Sequence, residues 1–219
     1  MMRIITGTAR GTKLATLEGE NTRPTAERVK EAVFSMLQFE LEGRTVLDLF
    51  AGSGQLGLGA LSRGAEKATL IDDSREANAI ILENAKKTHL FDRCRISCAD
   101  YATFIRGAAG REKYHIVFLD PPYAAGLMPE VLKKLADSGI LAHDAAVVCE
   151  TDNGTGAKPS RRGMSKEEIA EAERAAVLRD VFGEDEALAA RYTLDRTASY
   201  GRTRITVVRP VTEPTETEG

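Results

Sequence analysis

The stretch Asp48-Leu49-Phe50-Ala51-Gly52-Ser53-Gly54-Gln55-Leu56-Gly57 decides how the fold is read. It follows the apolar run Thr45 to Leu47 and leads into Leu56 to Arg63, a helical pattern that Gly64 closes. Gly52, Gly54 and Gly57 match G-x-G-x-x-G, and Asp72 follows Gly52 by twenty residues, at the end of the next apolar run. Strand, glycine loop, helix, strand and acid in this order form the fingerprint of a nucleotide-cofactor site. The glycines let the backbone approach a ligand, the helix N-terminus attracts negative charge, and the acid holds a ribose.

Working outward, strands and helices alternate. Lys67 to Ile71 reads as a strand, Arg75 to Lys87 as a helix, Arg93 to Cys98 as a strand and Tyr101 to Arg106 as a short helix. Ile116 to Asp120 is a strand, Met128 to Leu135 a helix and Ala145 to Glu150 a buried strand. Repeated β-α units imply an α/β fold with a mostly parallel sheet covered on both faces. The alternating segments on either side of Tyr200 and Gly201 predict an antiparallel C-terminal hairpin at the sheet edge.

The N-terminal run Arg3 to Leu17 alternates and is broken by Gly7 and Gly11, so it reads as a small hairpin or extended arm. Thr25 looks like an N-cap, with Glu27 in the first turn and Val29, Val33, Met36 and Leu37 on one face of a helix over 25–39. Three units follow: 1–40 as an N-terminal extension, 41–210 as the main domain, and 211–219 as a disordered acidic tail. Residues 151–190 break the β-α rhythm and read as an insertion. It holds a basic loop with Lys158, Arg161 and Arg162, then a helix that Ser165 and Glu168 open as a capping box.

Bulk properties narrow the class. The chain has 219 residues, 29% charged and 42% hydrophobic, with a net charge of −3. That fits one soluble domain with small appendages and confines any nucleic-acid surface to a local patch. Arg3, Arg10, Lys13, Arg23, Arg28 and Lys30 outnumber the acids in the first 30 residues. Three cysteines without framework spacing suggest reduced thiols, and the absence of an apolar leader or span points to the cytoplasm. His89, Cys94 and Cys98 make no structural metal set, so no metal is expected.

Asp48, Asp72, Asp100 and Asp120 are expected to end four successive strands on one edge of the sheet. A carboxylate four residues before Gly52 is odd for a pyrophosphate site. It suits S-adenosylmethionine, whose amino-acid end carries an ammonium. Asp100 is well placed to accept from an adenine amino group.

Asp120 is followed by Pro121, Pro122 and Tyr123. Proline cannot continue a central strand, so the chain must leave the sheet there, at the edge where α/β folds bind ligands. A nucleobase amine is a poor nucleophile because its lone pair is delocalised into the ring. The Asp120 carboxylate and the Pro121 carbonyl can each accept one amino hydrogen, favouring a pyramidal nitrogen, while Tyr123 offers a face for stacking.

D-x-F-x-G-x-G at Asp48 to Gly54 with D-P-P-Y at Asp120 to Tyr123 resembles the S-adenosylmethionine-dependent amino-methyltransferases. T-R-P-T at Thr22 to Thr25, the helix from Ala26 to Leu37, L-S-R-G-A at Leu61 to Ala65, and Y-G-R-T at Tyr200 to Thr203 narrow it. Together they resemble the 16S rRNA guanine-N2 methyltransferases of the RsmD family. The resemblance spans roughly residues 2–150 and 190–210. It implies a Rossmann-like methyltransferase fold and S-adenosylmethionine held by Asp48, Phe50, Gly52, Ser53, Gly54, Asp72 and Asp100. It further implies catalysis at Asp120, Pro121, Pro122 and Tyr123, and 16S rRNA or the small ribosomal subunit as partner of a monomer. RNA would contact Arg3, Arg10, Arg23, Thr25, Arg28, Lys30, Tyr200 and Thr203. The sequence departs from the family pattern at Gln55, where a small residue is common, and in the insertion at 151–190.

Two other readings stay open. D-P-P-Y specifies an amine rather than a base, which leaves an adenine-N6 methyltransferase of DNA or RNA. The glycine loop with Asp72 leaves an NAD-binding oxidoreductase.

Overall fold

The computed structural model describes residues 2–17, 24–122, 126–152 and 164–211. Strands β1 (Thr45–Asp48), β2 (Lys67–Asp72), β3 (Cys94–Cys98), β4 (Tyr114–Leu119), β5 (Leu141–Asp152), β6 (Tyr192–Tyr200) and β7 (Thr203–Pro210) form one sheet. Its order is β3-β2-β1-β4-β5-β7-β6. The first five run parallel to one another, and β7 is antiparallel to both β5 and β6. The expected hairpin therefore lies at the edge, with its second strand inside and its first outermost.

Strand alternation divides the core in two, because successive side chains leave opposite faces. Val46, Ile116, Phe118, Val148 and Val207 go to one face, where they meet Val33 of α1 (Pro24–Met36) and Leu37 just past its end, Leu58 and Leu61 of α2 (Gln55–Ser62), and Ile81 of α3 (Arg75–Lys87). Leu47, Val117, Leu119, Val147 and Val208 go to the other. There they meet Phe104 of α4 (Tyr101–Ala108), Leu132 of α5 (Met128–Ser138) and Phe182 of α6 (Lys166–Phe182). A four-residue helix, α7 (Glu186–Ala189), leads into β6.

Residues 2–17 do not stand away as an arm. Arg3 bridges Lys13, and Met2, Ile4, Ala9 and Leu14 are buried in the first core. The turn sits so tightly on α2 that a Cβ on Gly7, whose φ is +91°, would lie 1.8 Å from the Ser62 carbonyl oxygen. Only glycine fits.

Helix α1 begins at Pro24, one residue before the expected cap Thr25, and ends at Met36 rather than near residue 39. Proline is tolerated in the first turn because its missing N–H would have had no helical partner there. Beyond its end, Glu40 accepts from Arg209 at 2.7 Å and from Arg196 at 2.9 Å, tying this region to β6 and β7.

The capping box forms as read. Ser165 Oγ accepts the Glu168 N–H at 3.1 Å, and Glu168 Oε2 accepts the Ser165 N–H at 2.7 Å. Within the stretch read as an insertion, α6 buries Val177, Val181 and Phe182, so its C-terminal half covers the sheet beside α5. Lys158, Arg161, Arg162 and residues 212–219 lie outside the described residues. No described helix is long and apolar enough to cross a membrane.

Candidate active site

The carboxylates do gather at one edge. Asp48 closes β1 opposite Leu70 of β2 and Phe118 of β4, Asp72 closes β2, Asp100 lies just past β3, and Asp120 directly follows β4. Their surroundings differ sharply.

Asp48 is only 2% exposed, and its Oδ2 accepts the Gly57 N–H at 3.0 Å. Burial pushes its carboxyl up to about 7. The Gly57 hydrogen bond and the Lys30 ammonium oppose that rise, while the Asp72 carboxylate adds to it. Asp48 therefore lies beneath the glycine loop, pinning the first turn of α2.

The loop itself turns on Gly52 and Gly54, with φ of +52° and +78°. In the left-handed region a side chain would be strained, which is the local reason for glycine. Asp72 holds the loop from the other side. Its Oδ2 accepts the Gly52 N–H and its Oδ1 the Ser74 N–H, both at 2.9 Å. A carboxylate has about four lone-pair sites, so both oxygens retain capacity for ligand hydroxyls.

Asp100 is exposed and caps α4, its Oδ1 accepting the Thr103 N–H at 2.9 Å. Hydrogen bonding from Thr103 holds its carboxyl below the usual range. It thus has a structural duty besides any ligand contact. Phe50 is half-buried and lies against Tyr101, with ring centroids 5.5 Å apart. The Tyr101 hydroxyl is pushed up, first by burial and then by Glu130.

Asn84 is a site-building residue that sequence reading missed. Fully buried in α3, its Nδ2 donates to the Ser53 carbonyl at 2.9 Å and the Ala15 carbonyl at 3.0 Å. Its Oδ1 accepts the Ala15 N–H at 2.8 Å. One amide thus locks the glycine loop to the N-terminal segment. Ser53, also buried, donates from Oγ to the Met2 sulfur at 3.3 Å. A polar residue at a buried helix position is the only hint the sequence offers.

At the end of β4, Asp120 is exposed, Pro121 buried and Pro122 exposed. Tyr123 lies outside the described residues. The Leu49 N–H donates to the Phe118 carbonyl at 3.3 Å, so β1 and β4 remain paired to where their chains diverge into the glycine loop and the Asp-Pro-Pro segment.

The basic residues are less coherent. Arg23 and the side chain of Thr25 lie outside the described residues. Arg3 and Lys30 meet at one small crevice, joined by Arg63, a cation the sequence reading did not single out. Arg63 stacks 3.8 Å from the Phe34 ring centre and donates to the Gly59 carbonyl at 3.0 Å. Lys30 is half-buried and donates to Gln55 Oε1, which turns it toward the glycine loop rather than out to solvent. Arg10 and Arg28 are exposed and do not line the crevice. Tyr200 and Thr203 pair across the hairpin turn, both half-buried.

The donor set tests which ligand fits. A pyrophosphate needs free amides at the helix N-terminus. Here the Gly57 amide is already given to Asp48, and a second carboxylate, Asp72, grips the loop. Acids above and below the glycines suit a ligand with a cationic end and a ribose, not a polyphosphate.

Comparison with known proteins agrees. Residues 2–176 match the family model described as conserved hypothetical protein 95. Ribosomal RNA small subunit methyltransferase D of Escherichia coli is 36% identical over 171 residues, covering 77% of this chain and 85% of that protein. A solved structure, "Putative methyltransferase yhhF from Escherichia coli", superposes with a TM-score of 0.72 at 29% identity, over 95% of this chain and 97% of that one. A further solved chain, "SMU.776, a putative methyltransferase complexed with SAH", has a TM-score of 0.60 at 15% identity, over 84% of this chain and 49% of that one, a likeness of fold alone. With its seven-stranded sheet, its acid-flanked glycine loop and these relatives, the chain belongs to the RsmD family of methyltransferases.

Proposed function

We propose that the chain methylates the exocyclic N2 amine of a specific guanine in 16S rRNA of the small ribosomal subunit, acting as a monomer with S-adenosylmethionine. The observation that carries this reading is the adjacency of β1 and β4, which sets the glycine loop beside the Asp120-Pro121-Pro122 turn.

When bound, the cofactor supplies an electrophilic methyl on sulfonium. Asp72 offers its remaining lone pairs to ribose hydroxyls, and Gly52, Ser53 and Gly54 shape the backbone against the ligand. Phe50 walls the site with Tyr101, and Asp100 serves the adenine side. Asp48, charged once a ligand ammonium is near, anchors the amino-acid end from below.

The chain's own chemical work is to hold the amine. The Asp120 carboxylate and Pro121 carbonyl accept its two hydrogens, so the nitrogen lone pair points out of the ring. Pro122 stiffens the turn, and Tyr123 stacks on the base. The proton released from nitrogen passes to Asp120 or to solvent. Positioning and preorganised electrostatics supply most of the rate. A paired or stacked guanine must first be extruded, at a cost of a few kcal/mol that is lower in a loop.

Arg3, Arg10, Arg23, Arg28, Lys30 and Arg63 serve as phosphate contacts, with Thr25, Tyr200 and Thr203 as flanking contacts. Incubation with labelled S-adenosylmethionine and either small ribosomal subunits or DNA, followed by digestion to nucleosides, tests the reading. N2-methylguanosine is the expected product. N6-methyladenosine or its deoxy form in its place would overturn it.

A further inference from the structure

A cavity of about 330 Å³ opens from Pro121 and Pro122. It runs between the start of α5, the carboxyl end of β5 and the last turn of α6. Its volume is in the range of small-ligand sites. Thr151 of β5 forms part of its wall. Val147 and Cys149 on the same strand face the core beneath α5 and α6, so by alternation Thr151 faces that side too.

Among the described residues, the Thr151 hydroxyl is the buried side-chain polar atom with no hydrogen-bond partner. The residue is only 6% exposed. Buried polar groups are nearly always satisfied, and an orphan in a native site calls for an explanation. Valine has the same shape and would fit this strand without leaving a hydroxyl unpaired. Glu150, Asp152, Arg179 and Asp180 supply the charged part of the wall. Arg204 pairs with Asp180, and Arg202 pairs with Asp152 at 2.8 Å. Pro121, Pro122, Leu127, Met128 and Pro129 make one side of the cavity apolar, which suits the face of an aromatic ring.

Resting on the guanine-N2 reading, we propose that this cavity receives the purine ring of the target nucleotide, and that the Thr151 hydroxyl hydrogen-bonds an edge of the base. If the amine sits on Asp120 and the Pro121 carbonyl, the remainder of the ring must occupy space next to both prolines, which line this cavity. Thr151 is then a residue that selects the base, left unpartnered until the base arrives.

The test uses the full chain with small ribosomal subunits from cells lacking the gene. Thr151→Val is expected to lower kcat/KM for the subunit about fivefold, the scale of one hydrogen bond. Its affinity for S-adenosylhomocysteine should be unchanged and its Tm equal to or above that of the wild type, since an unpaired buried hydroxyl is gone. Thr151→Ser, which keeps the hydroxyl, should restore most of the loss. Wild-type kcat/KM in Thr151→Val, or a lowered Tm alongside the loss, would overturn the inference alone. If the wild-type protein forms no N2-methylguanosine, the functional reading falls and takes this inference with it.

Discussion

Asp48 provides the most quantitative test of the cofactor site. Burial pushes its carboxyl up to about 7, so at neutral pH the ligand-free protein holds it half protonated. A displacement of that size corresponds to about 4 kcal/mol between the charged and neutral forms. A ligand ammonium favours the charged form, so binding must expel the proton wherever the group is still protonated. At pH 6 about nine molecules in ten carry it, against about one in four at pH 7.5, so S-adenosylhomocysteine should bind about eightfold more weakly at pH 6. Calorimetric titration in buffers of different ionisation enthalpy measures both the affinity and the proton released.

Asp48→Asn keeps an acceptor for the Gly57 N–H but cannot ionise. It should bind more weakly at pH 7.5 and lose the pH dependence across this window. The sign for stability is the reverse of a salt-bridged acid. The native carboxyl titrates above its unfolded value, so its contribution is fully present below about pH 4 and is lost as pH rises through about 7. The Tm advantage of Asp48→Asn over the wild type should therefore grow across that range. A wild-type affinity flat from pH 5.5 to 7.5, or the same slope in Asp48→Asn, would refute the reasoning.

Asp120→Ala should bind S-adenosylhomocysteine within about twofold of the wild type while single-turnover methylation falls about a hundredfold or more, the usual scale for one preorganised polar contact. Retained turnover would remove Asp120 from the amine site. Asn84→Ala leaves the Ala15 amide and the Ala15 and Ser53 carbonyls without their buried partner. It should cost about 3 kcal/mol in urea unfolding and weaken cofactor binding as the loop loosens. Arg3→Ala should reduce the salt dependence of subunit binding by about one unit of log–log slope, without touching cofactor affinity, if Arg3 contacts a phosphate.

The fold was legible because its signals are local and periodic. Asp48 to Gly57 between two apolar runs dictates strand, loop and helix, and short apolar runs bounded by turn residues suit strands covered on both faces. The Ser165–Glu168 capping box was readable for the same reason, since its partners lie within one turn. The carboxylates at the sheet edge followed from where each strand had to stop.

What sequence alone could not decide depends on contacts between distant segments. Asp48 reads as a ligand contact, and packing adds a second duty that sequence does not reveal, the grip on the Gly57 amide. Lys30 reads as one cation among several, yet the fold brings it to Gln55 at the start of α2. Asn84 and Ala15, 69 positions apart, meet only because α3 and the N-terminal hairpin share one core face. The Thr151 hydroxyl could not be known to lack a partner until α5, α6 and β7 had closed around it. Hydrophobic period and turn chemistry determined the order of elements; the partner of each buried polar group was decided only by three-dimensional packing, because desolvation and hydrogen bonding act between neighbours in space.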